Sequence, residues 1–112
     1  MDNRKKVLNL IGLAEKAGKV ASGEFSTERA IKTGKAALVI VSEEASANTK
    51  KMFANMCTYY RIPVLYLAEK EVLGHSIGKE MRASLAVLDE GLARAIQKQM
   101  NADGGSEYEG KR

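Results

Sequence analysis

Apolar and polar positions follow two rhythms along this chain. Val7, Leu10, Ile11 and Ala14 recur at i, i+3, i+4 and i+7, which predicts a helix that Asn3 caps and Gly18 stops. A short strand is predicted at residues 20–21. A second helix is predicted over residues 24–33, with Thr27, Ala30 and Ile31 inward and Gly34 as its C-terminal glycine. Residues 37–41 (Ala-Leu-Val-Ile-Val) are apolar on both faces, the mark of a central strand covered from both sides. Ser46 is placed to cap a third helix, on which Met52, Phe53, Met56, Cys57 and Tyr60 share a side. Pro63 opens a strand over residues 64–67. A short helix over 69–73 is expected to close at Gly74, and 75–82 reads as a polar loop. Residues 83–88 form another apolar strand. Asp89 then caps a last helix with Leu92, Ala93, Ile96 and Met100 inward.

Strands alternating with helices predict an α/β fold, a three-layer α-β-α sandwich with a small mixed, mostly parallel sheet. Residues 1–100 read as a single domain. The Gly-rich, polar residues 101–112 read as a disordered tail.

Composition narrows the picture. The chain has 112 residues and a net charge of +4. The excess lies early, since residues 1–35 carry eight Lys/Arg against four Asp/Glu. A basic surface favours polyanions. The apolar runs are about five residues long, far short of the ~18 that span a bilayer, so no membrane is expected. The N-terminus carries no apolar signal core. The single cysteine, Cys57, forms no internal disulfide and fits a reducing cytoplasm.

Catalytic groups are scarce. Cys57 shares an apolar helix face, where a thiol acts as a small hydrophobe. His75 has no carboxylate or cysteine at ligand spacing, and no metal or cofactor is expected. Glu43 and Glu44 precede the Ser46 cap and read as acids complementing a helix start. Neither a Gly-x-Gly-x-x-Gly nor a Gly-Lys-Ser/Thr phosphate loop is present.

The segment from Gly18 to Lys35 is different. It places a glycine turn, Gly23, ahead of a helix start, with Lys19, Arg29, Lys32 and Lys35 nearby. Backbone donors and positive charge at a helix start suit phosphate, and so nucleic acid. Phe25 is the aromatic of this segment and is expected to pack inward as a helix-entry anchor.

Three pieces carry a resemblance over roughly residues 4–100. They are Gly18–Lys35, the run Leu-Val-Ile-Val-Ser-Glu-Glu-Ala-Ser from Leu38 to Ser46, and Cys-Thr-Tyr-Tyr-Arg-Ile-Pro from Cys57 to Pro63. Val72-Leu73-Gly74 and Ile77-Gly78-Lys79 follow the third. In these the chain resembles the ribosomal L7Ae/L30e family of kink-turn RNA-binding proteins, most closely its short bacterial members. The resemblance implies an α-β-α sandwich that binds RNA without chemistry, with ribosomal or other structured RNA and the ribosome as partners; a monomer is the default expectation for so short a chain. It implies contacts from Ser22, Gly23, Glu24, Phe25, Ser26 and Arg29, and from a loop of Ile77, Gly78, Lys79 and Glu80. The family usually reads Gly-Thr-Asn-Glu at the turn, with a Lys three places on. Here Glu24, Phe25 and Ser26 follow Gly23, and Arg29 stands at the basic position. Two other roles fit the same fold: a detached recognition module of an RNA-modifying enzyme system, and a protein-interaction module using the Met-rich third helix.

Overall fold

The computed structural model describes residues 3–101. Of the tail expected over residues 101–112, Asn101 is the last residue of the final helix and 102–112 lie outside the described residues. The element order is α1 (Asn3–Lys16), β1 (Val20–Ser22), α2 (Glu24–Lys32), β2 (Leu38–Val41), α3 (Ala47–Tyr60), β3 (Val64–Tyr66), α4 (Lys70–Ser76), β4 (Ser84–Val87) and α5 (Glu90–Asn101).

β2 organises the layers. All four of its residues are fully buried. Leu38 and Ile40 face one side, against Val7 and Ile11 of α1, Leu73 of α4 and Ile96 of α5. Val39 and Val41 face the other, against Ile31 of α2 and Phe53 and Cys57 of α3. A strand with successive side chains in two cores must be apolar throughout, which is what its sequence displays. Each such side chain stabilises the fold by roughly 1.5–3 kcal/mol relative to exposure.

The three-layer α/β sandwich stands, and the sheet is mixed, but its expected parallel bias is corrected. Strand order is β1-β4-β2-β3. β2 and β3 pair in parallel, whereas β4 runs antiparallel to both β1 and β2. Doubly buried strands suggest parallel pairing only when crossovers supply every covering helix. Here β4 enters between β1 and β2 and is covered by α2 on one face and α5 on the other, so burial carries no information about its direction.

Several local expectations hold. The Ser46 side chain accepts from the Thr49 N–H at 3.1 Å, and Asp89 Oδ2 accepts from the Leu92 N–H at 2.8 Å. Thr27, Ala30 and Ile31 are the buried face of α2. Others change. Asn3 lies within α1, and its side-chain amide donates to the Gln99 carbonyl at 3.1 Å, tying α1 to α5. Tyr60 is 40% exposed rather than inward. Gly74 does not end α4, which continues through His75 to Ser76.

Gly74 is glycine because of what lies over it. A Cβ built there would overlap the Glu80 backbone carbonyl. The missing side chain lets the loop after α4 cross directly over the helix before β4 begins. Gly74→Ala is therefore expected to destabilise the fold by about 1–3 kcal/mol through overpacking against backbone. A lowered urea midpoint with unchanged slope is the expected result.

Candidate nucleic-acid interface

The sheet register brings distant segments together at one end. Ser22 lies opposite Leu85, Val41 opposite Ser84, and Tyr66 beside Val41. The ends of β1, β2 and β3 therefore surround the loop that leads into β4. Three backbone bonds stitch this end. Gly23 N–H donates to Ser84 O at 2.9 Å, Ser42 N–H to Ala83 O at 2.8 Å, and Arg82 N–H to Lys70 O at 3.0 Å. The starts of α2, α3 and α4 follow these strand ends, so three positive dipole ends gather here.

Two of those starts are occupied. Ser46 caps α3, and Glu44 Oε1 accepts from the Lys70 N–H at 3.1 Å at the start of α4. Ser42 braces the same corner, its buried hydroxyl donating to Ala68 O at 2.9 Å and accepting from Glu44 N–H at 3.0 Å. α2 is the exception, with no side-chain cap. Gly23 has φ 94° and ψ 160°, a conformation that favours glycine. The first intrahelical bond is from Thr27 N–H to Gly23 O at 2.9 Å. The amides of Glu24, Phe25 and Ser26 precede it and have no intrahelical acceptor.

The start of α2 is held down from below. Ser84 and Ala86 are the small residues that β4 turns toward α2, and the Ser84 hydroxyl donates to Thr27 Oγ1 at 3.3 Å in a fully buried contact. No buried side-chain polar atom among the described residues lacks a partner.

Arg82 joins the two regions singled out in the sequence. Its Nε donates to Ser22 Oγ at 3.2 Å and its Nη1 to the Met81 carbonyl at 2.9 Å. A guanidinium has five donors, so three remain for another acceptor. His75, Gly78, Lys79, Glu80 and Arg82 line an open cavity of about 530 Å³ beside it. Sequence reasoning left Arg82 outside the site. Its signal was position: it is the last charged residue before β4, whose first residues pair with the end of β1.

The other predicted residues divide. Ser22, Gly23, Glu24, Phe25 and Ser26 lie at this end, with Gly78, Lys79 and Glu80 exposed on the neighbouring loop. Arg29 is exposed just over one turn further along α2. Phe25 is 74% exposed, so the inward-packing expectation is corrected: the small inner residues of α2 already fill the space over β4. Ile77 is corrected the other way. It is 4% exposed within the α1/α4/α5 core and anchors the loop from beneath. Lys19 and Lys35 do not surround the turn. Lys19 precedes β1 at the far end of that strand, about 10 Å from Ser22 at ~3.3 Å per residue. Lys35 lies beyond the C-terminal end of α2. Lys32 is paired with Glu28 at 2.9 Å, and that hydrogen bond holds its ammonium pKa above the usual value. Among the described residues, no ion pair engages Lys19, Arg29, Lys35, Lys79 or Arg82.

Cys57 is 1% exposed in the α2/α3 core, and burial pushes its thiol from the ordinary 9.0 to about 11. It stays protonated at neutral pH, as a hydrophobe would require. No group of three or more His, Cys, Asp or Glu among the described residues is arranged to hold a metal.

Comparison with known proteins agrees with this architecture. Residues 5–97 match the ribosomal protein L7Ae/L30e/S12e/Gadd45 family, and the chain belongs to that family. It is 44% identical to the RNA-binding protein YlxQ of Bacillus subtilis over 87 residues, 78% of this chain and 87% of that one. It is 40% identical to the RNA-binding protein YlxQ of Enterococcus faecium over 92 residues, 82% of this chain and 88% of that one. A solved protein of unknown function from Bacillus halodurans C superposes with a TM-score of 0.83 at 35% identity, covering 86% of this chain and 97% of its own. A Giardia lamblia 15.5 kD RNA-binding protein shares the fold, with a TM-score of 0.77 at 16% identity, covering 91% and 88%.

Thr27→Val leaves the Ser84 hydroxyl buried without its partner and is expected to cost about 1–2 kcal/mol, most of which a second change, Ser84→Ala, restores. Chemical denaturation of the two single variants and the double variant measures this. Cys57 has a folded-state pKa above its unfolded value, so its stabilising contribution is complete below pH ~9 and lost as pH rises toward about 11. Stability measured from pH 8 to 11 is expected to fall less steeply in Cys57→Ala than in the parent chain.

Proposed function

We propose that this is a non-enzymatic RNA-binding protein that grips a kinked stem at the end of the sheet where α2 begins. The observation that carries the reading is the bond from Arg82 to Ser22, which sets the uncapped start of α2 beside the Gly78–Glu80 loop. The reading is also supported by the two relatives at 44% and 40% identity that are named RNA-binding proteins.

The chemistry is that of backbone gripping. The free amides at Glu24, Phe25 and Ser26 and the dipole of α2 receive a phosphate. The spare donors of Arg82 receive a second. Short polar side chains at Glu24 and Ser26 reach base edges where a kink opens the groove. Arg29 and Lys79 flank this centre and attract the adjoining strands, and Lys19 and Lys35, farther from the turn, add to the basic field. The setting we assign is a cytoplasmic monomer acting on ribosomal or other structured RNA.

Filter binding of the full chain to a kink-turn stem and to a plain duplex of equal length, at two salt concentrations, tests this. Tighter, salt-sensitive binding to the kinked stem is expected. Arg29→Ala should weaken it and reduce the salt slope by about one. Equal, weak binding to both RNAs would remove the kinked-stem reading, and an unchanged Arg29→Ala affinity and slope would take Arg29 out of the interface.

A further inference from the structure

Phe25 is the unexplained residue of this face. A phenylalanine with 74% of its surface in water contributes little to the core and costs solubility. It stands on the first turn of α2, and Arg29 lies four residues on, along the same face of the helix. Beside them a groove of about 250 Å³ runs between α2 and β1. Its floor is Ala21, Ala30 and Leu88, and its rim is Phe25, Arg29 and Lys35. No carboxylate lines it. β1 is an edge strand, so the groove is open along its outer side.

Each part of that description selects a ligand. A small apolar floor under an exposed ring accepts a flat, weakly polar group, and the volume falls below the 300–1,000 Å³ of sites for drug-sized molecules. Two exposed cations without acidic partners at the rim favour an anionic ligand. Phe25 also carries one of the three uncapped amides, so the groove continues the surface assigned above to RNA. A nucleobase carried between two phosphates meets all of these conditions, and a base still paired in a stem does not, because its face is covered.

We propose that this groove is a second RNA subsite that takes one unpaired base, stacked on Phe25, with the flanking phosphates on Arg29 and Lys35. It rests on the RNA-binding reading. It gives Lys35 a role at a distance from the Gly23 turn. It also assigns α2 two ligands, a phosphate at its uncapped start and a base along its outer side.

The chain contains no tryptophan, which makes a direct test possible. Phe25→Trp, at an exposed position, places a single indole at the rim. The full-length variant is titrated with a single-stranded RNA hexamer, with the same hexamer lacking its central bases, and with the kinked stem, each fluorescein-labelled. Anisotropy reports binding and tryptophan emission reports stacking. The expected result is quenching by the intact hexamer or the kinked stem and none by the abasic hexamer. Phe25→Ala is expected to weaken binding of the intact hexamer about five- to hundredfold, the range for loss of one stacked base, and to leave the abasic hexamer unchanged. Binding of either intact RNA with unaltered tryptophan emission overturns the subsite and leaves the RNA-binding reading in place. No binding of any RNA overturns both.

Discussion

The structure depends on one constraint: β4, the last strand among the described residues, must lie between β1 and β2 and bond to both. Its backbone supplies both neighbouring ladders, and its side chains supply both cores. Leu85 and Val87 face α1 and α5, while Ala86 and Ser84 face α2. The small residues matter as much as the large ones. They let α2 sit close over the sheet, and the Ser84–Thr27 contact fixes the height of its first turn. The candidate interface is thus a by-product of strand order. A loop near residue 80 meets a turn near residue 23 because β4 pairs with β1.

Backbone donors are unevenly satisfied at this end, and the imbalance is what singles it out as the candidate site. Ser42, Glu44 and Ser46 engage the corners around α3 and α4 with hydroxyls and a carboxylate. The same chemistry at α2 would have required Ser, Thr, Asp or Asn at position 23. Gly23 provides only conformation. The open amides therefore point to a ligand where the two neighbouring helix starts, equally positive, are already served from within the chain.

Much of the fold was readable from the chain. Period located the long helices, the Ser46 and Asp89 caps marked two of their starts, and the apolar run at 37–41 identified the central strand, because burial on a known face leaves a direct mark on residue type. Partner choice leaves no such mark. Nothing in the residues of β4 states that it pairs antiparallel with two strands from the first half of the chain. The misplacements at the candidate site have the same origin. Ile77 and Phe25 are both apolar residues within two positions of a glycine, and only tertiary packing decides that the first is core and the second surface. Lys19 and Lys35 are close to Gly23 in sequence, but a strand and a helix carry them away from it. Arg82 lay outside the predicted site because its partner, Ser22, is 60 residues away.

The position of β4 also orders events as the chain is made. Helices α1 and α2 and the β2–α3–β3 unit draw on nearby residues and can form early. β1 and β2 share no ladder until residues 84–87 arrive to link them. Before that moment Gly23 lacks its Ser84 acceptor, Arg82 is not yet beside Ser22, and the two halves of the interface are separate peptides. The candidate face is completed across both halves in a single late step, so a truncated or half-synthesised chain holds its charges without its shape.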